Sequence, residues 1–424
     1  MTDRNCVIVG GGPAGMVLGL LLARAGVRVS VLERHGDFLR DFRGDTVHPS
    51  TQRLLDELGL GPAFTALPQT RLDRVAWPTD DGGSVVLADF GRLRVPHPYL
   101  AMVPQWDLLD LLAAAARQEP NFTLRMRTEV TGLLRESGRV CGVRYHTEDG
   151  ITGQLPADLV VACDGRRSIA HTDGGLRPRE FRVPMDAWWF RLPRSAGDDV
   201  ALTPRAAPGR AAVVIPREGY LQVAYLARKG TDPRLRAAGI ERFRRELAEL
   251  MPDLADRVGA LRSMDDVRHL DVRLNRLRRW HTAGLLCIGD AAHAMSPVGG
   301  VGINLAVQDA VAAAALLAGP LRRGRPTGSQ LAAVRARRLL PTVAVQVLQR
   351  VMHRGLIAPT LAGRRIGPPA PVLAALRRLP WLSAVPAYLI GVGLRPEHAP
   401  PFARRPAPPG SVPARAAHDA PAGR

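Results

Sequence analysis

Cysteine is scarce in this chain, and the four present, Cys6, Cys141, Cys163 and Cys287, lie scattered in apolar stretches with no C-x-x-C pair. That pattern excludes a disulfide framework and a zinc site, and a reducing cytoplasm is the expected location. Histidine gives no metal site either, because His48 and His293 have no second ligand at helical spacing. A G-x-S-x-G elbow is missing, which leaves hydrolase chemistry unsupported. The longest late apolar run, residues 305–321, contains Gln308 and Asp309 and follows a glycine loop, so it reads as a buried helix and not a membrane span. Residues 6–23 are apolar but interrupted by glycines and a proline, and are not read as a secretory leader. Lysine is nearly absent: Lys229 stands alone.

With 424 residues and 46% hydrophobic composition, the chain is large enough for two substantial domains around real cores. Its net charge of +19 resembles a nucleic-acid signal, but the placement argues otherwise. Residues 321–424 hold 17 arginines against Glu397 and Asp419, while the remainder is nearly balanced. No nucleic-acid partner is expected. The basic quarter leaves two contacts open, an anionic membrane and an acidic carrier protein, beside a plain compositional bias toward Arg, Ala, Gly and Pro.

Three glycine- and aspartate-bearing segments then follow in order. Cys6-Val7-Ile8-Val9 reads as a short buried strand leading into Gly10-Gly11-Gly12-Pro13-Ala14-Gly15. Gly10 and Gly12 allow a tight turn and close approach to a pyrophosphate, and Gly15 allows close packing of the next helix. That helix directs its free N–H groups and dipole at the phosphates. Gly26 ends it, residues 27–32 alternate as a second strand, and Glu33 follows where an acid meets a ribose hydroxyl pair. The second segment, Asp164-Gly165, closes an apolar strand over residues 158–163; alone it is only a turn. The third runs from strand 285–288 through Gly289-Asp290-Ala291-Ala292-His293 to Ser296-Pro297-Val298-Gly299-Gly300-Val301-Gly302 and a helix from about Ile303. Such a start is dense in backbone N–H donors and suits the pyrimidine end of a flavin, where negative charge develops on reduction. Together the three describe one long, diphosphate-bearing redox cofactor, FAD.

On these residues, from about 4 to 320, the chain resembles the flavoprotein aromatic hydroxylases, the single-component FAD monooxygenases typified by para-hydroxybenzoate hydroxylase. The resemblance implies an α/β fold: a Rossmann-like FAD-binding domain of glutathione-reductase type, an inserted mixed β-sheet substrate domain, and C-terminal helices. It further implies non-covalent FAD held by Gly10, Gly12, Pro13, Ala14 and Gly15, with Glu33 and Arg34 at the adenosine ribose. Arg43 would lie by the pyrophosphate and Gln105 by the FAD linker, with Val130 and Asp164 also at the cofactor. Asp290 would hold the ribityl chain, and Pro297, Gly300, Val301, Gly302 and Asn304 would line the isoalloxazine. One departure is His171, where family members carry arginine after the D-G segment.

The chemistry implied is that NADH or NADPH reduces FAD and O2 adds to give a C4a-hydroperoxyflavin, whose distal oxygen passes to a small aromatic or polyketide-like substrate. The flavin carries the reaction, and no side chain is marked as a catalytic base. Epoxidation, Baeyer–Villiger insertion and an oxidoreductase without oxygen insertion are the alternatives. A monomer and a homodimer both remain open.

Residues 1–76, 97–178 and 267–335 are assigned to the FAD-binding domain, and 77–96 with 179–266 to the substrate domain. Within the latter, residues 185–192, 211–215 and 220–228 alternate as strands, and 237–250 reads as a covering helix. Trp189, Arg191, Tyr220 and Gln222 on this sheet are the candidate substrate contacts. Residues 336–395 read as short apolar-basic helices broken by prolines, and 396–424 as a disordered Pro/Ala/Arg-rich tail.

Overall fold

The computed structural model describes residues 4–39, 46–79, 83–195, 197–198, 202–364 and 367–406. Strand Asn5–Val9 is apolar without alternation because it is central in a parallel sheet covered on both faces. Across that six-stranded sheet the order is His281–Thr282, Leu285–Cys287, Leu159–Ala162, Asn5–Val9, Arg28–Leu32, Phe122–Arg125. Only the first pair is antiparallel. Helix Pro13–Arg24 lies between Gly302–Arg323 and Gln105–Arg117, and its residues Ala14 to Ala23 are all buried. The Gly302–Arg323 helix is long and apolar enough to cross a membrane, yet 72% of its most apolar window is buried inside the protein. It is a core helix, as its Gln308 and Asp309 require.

A second sheet runs Thr203–Ala207, Arg210–Pro216, Tyr220–Arg228, Met185–Pro193, Arg268–Leu270, with every neighbouring pair antiparallel. It is mixed only through a single parallel bridge, Val75 to Leu202, at the hairpin Arg74–Pro78/Ser84–Asp89. Alternation divides its faces. Trp188, Phe190, Val223 and Tyr225 pack under Phe243, Leu247 and Leu250 of helix Asp232–Leu250. This helix begins earlier than residue 237 because Asp232 accepts from the buried Trp188 Nε1 at 2.8 Å, and Gly239, at φ 78°, breaks it internally.

The C-terminal quarter differs from the sequence reading in two ways. First, Gly328–Met352 is one helix that continues through Pro341 and across residue 335. Thr327 and Gln330 close a capping box at its start, and its buried face carries it on past the missing N–H of the proline. The later prolines do mark helix starts, as in Ala358–Leu361, Ala370–Arg378 and the short turn Pro380–Ser383.

Second, residues 396–406 are not a disordered tail. Glu397, Ala399 and Ala403 are buried, Arg24 donates to the Ala403 carbonyl at 2.8 Å, and Ala399 N–H donates to Glu57. The physical reason is an ion pair that periodicity cannot reveal: Glu397 accepts from Arg337 at 2.7 Å and lies 3.3 Å from Arg338. Residues 407–424 lie outside the described residues.

Removing one partner of a buried ion pair leaves the other charge uncompensated, at about 3–5 kcal/mol. Glu397→Ala is therefore expected to lower unfolding free energy by about that amount in urea titration. Truncation after Arg395, which removes Glu397 and the anchored residues beyond it, should lower the thermal midpoint.

Candidate active site

The first glycine segment is shaped by collisions that only hydrogen avoids. Gly10 has φ 102°, and a Cβ there would sit 2.7 Å from the Cys163 carbonyl oxygen; at Gly15 it would sit 2.0 Å from that of Gly10. Gly12 is different: a Cβ there would meet nothing within 4 Å. It caps the Pro13–Arg24 helix without any side-chain hydrogen bond, so the helix N-terminus opens onto free space that can take an anion. Glu33, buried below this loop, accepts from Gly11 N–H at 2.8 Å and His35 N–H at 3.1 Å. Arg34 is exposed and donates to His35, and Arg43 lies outside the described residues. Gln105 opens the Gln105–Arg117 helix, and Val130 sits in strand Thr128–Glu136 opposite Tyr145.

The second and third segments touch each other. His171 Nε2 lies 2.7 Å from the Ala291 carbonyl, and Arg166 Nε lies 3.7 Å from Asp290 Oδ2. His171, the departure noted above, thus binds the two segments together. Asp164 accepts from Ile169 N–H at 2.7 Å, while its buried Oδ1 has no partner among the described residues. Burial raises its pKa, against hydrogen bonds from Ser168 and Ile169 that favour the charged form. Asp290 has a side chain 39% exposed between buried Gly289 and Ala291, so it reaches out of an otherwise closed turn.

That turn is fastened from inside by Asp309, which has no exposed surface. It accepts from Gly289 N–H at 3.1 Å and Arg338 Nε at 3.1 Å, and lies 2.6 Å from His293 Nε2. Burial alone would raise its pKa, but His293, Arg338 and the Gly289 N–H hold it below the usual carboxylate value. His293 is thus a strut for the turn.

The loop from Ser296 to Gly302 is likewise held from behind. Gln349 accepts from Ser296 N–H at 3.1 Å and donates to the Ser296 and Val298 carbonyls at 2.8 Å each. His353 Nε2 stands 2.9 Å from the Ser296 hydroxyl. Gly300, at φ 63°, passes so close to Thr46 that a Cβ would be 2.9 Å from its hydroxyl. Asn304 Oδ1 accepts from Ser50 and Thr51 hydroxyls at 2.8 Å each, tying the Gly302–Arg323 helix to Pro49–Glu57. Pro297, Val301 and Gly302 complete the loop and helix start.

His48 stands at this same place, fully buried, with neither ring nitrogen in hydrogen-bond geometry with a described partner. Burial lowers its pKa to about 4, although the Gly299 and Thr46 backbone groups lie near enough to favour the charged form somewhat. Burial lowers His353 to about 4 as well.

The four sheet candidates share the face opposite the covering helix. Trp189 pairs with Ala224, Arg191 with Gln222 and Pro193 with Tyr220. Trp189 bridges two apolar clusters that include Met102, Ile215, Met295 and Leu305, and its buried Nε1 has no described partner. Arg191 lies over the Tyr220 ring at 4.8 Å. Gln222 is buried and spends its carbonyl on Arg217 Nε at 2.9 Å, so it supports the face more than it lines it.

Sequence reasoning missed the residues that hold the site from behind. Arg338, Thr342, Gln346, Gln349 and His353 are all buried. Their spacing of three and four is itself a signal: a polar stripe along one side of an apolar-basic helix.

A profile of the FAD binding domain family matches residues 3–350. The chain is 34% identical to 6-methylpretetramide 4-monooxygenase of Streptomyces rimosus, across 90% of this chain and 89% of that one. It is 29% identical to the ubiquinone hydroxylase UbiL of Rhodospirillum rubrum, across 86% and 85%. In fold it is similar to the anhydrotetracycline hydroxylase OxyS of Streptomyces rimosus, with a TM-score of 0.72, 24% identity, and coverage of 93% and 77%.

Two buried histidines with lowered pKa make stability depend on acidity. Their unfolded forms take up protons as pH falls through about 6.5, before the folded forms do near 4, so their contribution is whole above that window and lost on descending through it. Each is expected to cost about 1.4 kcal/mol per pH unit inside it. Urea unfolding between pH 7 and 4.5 should show a shallower slope in His48→Gln by that amount; an unchanged slope contradicts the assignment.

Proposed function

This chain belongs to the FAD binding domain family and is a flavin-dependent oxidoreductase, and on that premise we propose that it hydroxylates a small aromatic of polyketide type. One observation carries the reading. Val9, Ala162 and Cys287 stand side by side in the parallel sheet, so the three motif segments leave adjacent strands at one level. Ligands of open α/β sheets sit at the carboxyl ends of such strands, and three neighbouring ends make room for one extended molecule.

The residues present fit FAD. The open, uncapped helix start at Gly12, Pro13, Ala14 and Gly15 suits the diphosphate, with Gly10 shaping its approach. Glu33 and Arg34 would take the adenosine ribose and Gln105 the linker, with Val130 also at the cofactor and Arg43, outside the described residues, by the pyrophosphate. The partly exposed Asp290 and the unpartnered Asp164 oxygen suit cofactor hydroxyls. Pro297, Gly300, Val301, Gly302 and Asn304 would flank the ring system. Bound non-covalently, FAD supplies the two-electron chemistry that uses NADH or NADPH and O2 to place one oxygen atom on the substrate and convert the other to water.

The protein's share is positioning and exclusion of water. Trp189, with its apolar neighbours and one free indole donor, would seat the ring system of a substrate, and Arg191 stacked on Tyr220 would form its polar edge. The nature of that substrate is suggested by the name of the Streptomyces relative, a 6-methylpretetramide 4-monooxygenase. The four cysteines are free, which fits a cytoplasmic enzyme.

Denaturation is expected to release all of the flavin as FAD; flavin left on the chain, or FMN, would contradict the fit. Asp290→Ala removes a charge-assisted acceptor and should weaken FAD binding by about 1.5–3 kcal/mol in fluorescence titration. With 18O2 and an accepted aromatic, one labelled atom should enter the product. NAD(P)H oxidation that yields only an unlabelled, dehydrogenated product would favour an oxidoreductase without oxygen insertion.

A further inference from the structure

We propose that the face built by helices Gly328–Met352, Ala370–Arg378 and Ala384–Gly391 docks on an anionic lipid surface. Large apolar side chains stand out of it: Leu340, Val347 and Val351 on the first helix, and Trp381, Val385 and Tyr388 on the turn and helix beyond. Trp381 is 58% exposed and Val351 61%. The opposite edge of the last helix does pack, with Ala387 and Gly391 buried, and Gly391 lying against Phe90. The helix is thus fixed in place with its aromatic side outward. No residue of helix Ala370–Arg378 is fully buried, and only Leu373 and Leu376 are half-buried.

Charge identifies the occupant. Exposed Arg354, Arg364, Arg377 and Arg378 accompany this apolar surface. Among described residues 321–406 the sole acid is Glu397, which is buried beneath Arg337 and Arg338, so the segment itself contributes exposed arginines and no exposed acid. A second copy of the chain would set arginine against arginine. A bilayer with acidic headgroups answers both features, taking up Trp, Tyr, Leu and Val at the acyl boundary while phosphates meet the guanidinium groups.

A cavity of about 70 Å³ adds a concave apolar seat. Val345 and Leu348 line one side and Leu389 and Ile390 the other, with Leu394, 48% exposed, at its rim. Val301 of the motif loop also lines it. By helix geometry, Val347 and Val351 stand one step outward from Leu348, so the exposed strip borders this groove. A lipid-bound protein would therefore present the groove to the acyl region.

The test uses the full chain with its flavin and vesicles of 30% phosphatidylglycerol in phosphatidylcholine, beside pure phosphatidylcholine vesicles. Co-sedimentation with the anionic vesicles alone is expected. Arg354→Glu with Arg378→Glu should weaken it at least tenfold, and Trp381→Ala with Tyr388→Ala several-fold, with flavin content and NAD(P)H oxidation unchanged in both. No binding to anionic vesicles would overturn the proposal, as would binding that neither variant alters. So would a dimer in sedimentation velocity that the apolar variant dissociates, or capture by an acidic carrier protein without vesicle binding.

Discussion

Asp309 is a carboxylate with no contact with water, and the arrangement of the active site depends on its satisfaction. An ionised group can stay in such a place only when paired and hydrogen-bonded on all sides. Gly289 N–H, His293 and Arg338 do this, and each of them transmits a constraint. Gly289 is held at φ 60°, and the Asp290 side chain beside it reaches out of the turn. Arg338 is itself buried and needs a second anion, which Glu397 supplies from more than fifty residues away. The docking of the chain's last described segment thus follows from the requirements of a loop near its middle.

The same division recurs in the loop from Ser296 to Gly302. The front of this segment is small, because Gly299, Gly300 and Gly302 carry no side chain. Small residues cannot hold their own position, so the holding groups come from the helix behind. Gln349 fixes two carbonyls and one N–H of the loop, and His353 fixes the Ser296 hydroxyl. A neutral His353 serves there, because burial keeps it uncharged at ordinary pH.

Two apolar surfaces meet at this loop. On one side is the sheet face of Trp189, apolar with a polar edge, suited to a flat ring system. On the other is the groove between two C-terminal helices, apolar within and rimmed by arginine-bearing helices. The Gly302–Arg323 helix, apolar enough for a bilayer by composition, is enclosed between them as core. Hydropathy alone does not separate these cases; what packs on each side does.

The sequence by itself determined the parallel core and the cofactor class. Glycines at Gly10 and Gly15 are required by contacts within their own strand-turn-helix unit or with the neighbouring strand, and short-range pattern records such needs directly. The antiparallel strands at 185–193 and 220–228 were legible for the same reason, since alternation is a local property. What only the tertiary structure decided is which polar residues serve the site from a distance. His293, beside Asp290 in sequence, turned out to face inward, while Arg338, Gln349, His353 and Glu397 became part of the site's support. Their roles rest on ion pairs and hydrogen bonds across 29 to 89 residues of chain, and no periodicity within a segment encodes a partner that remote.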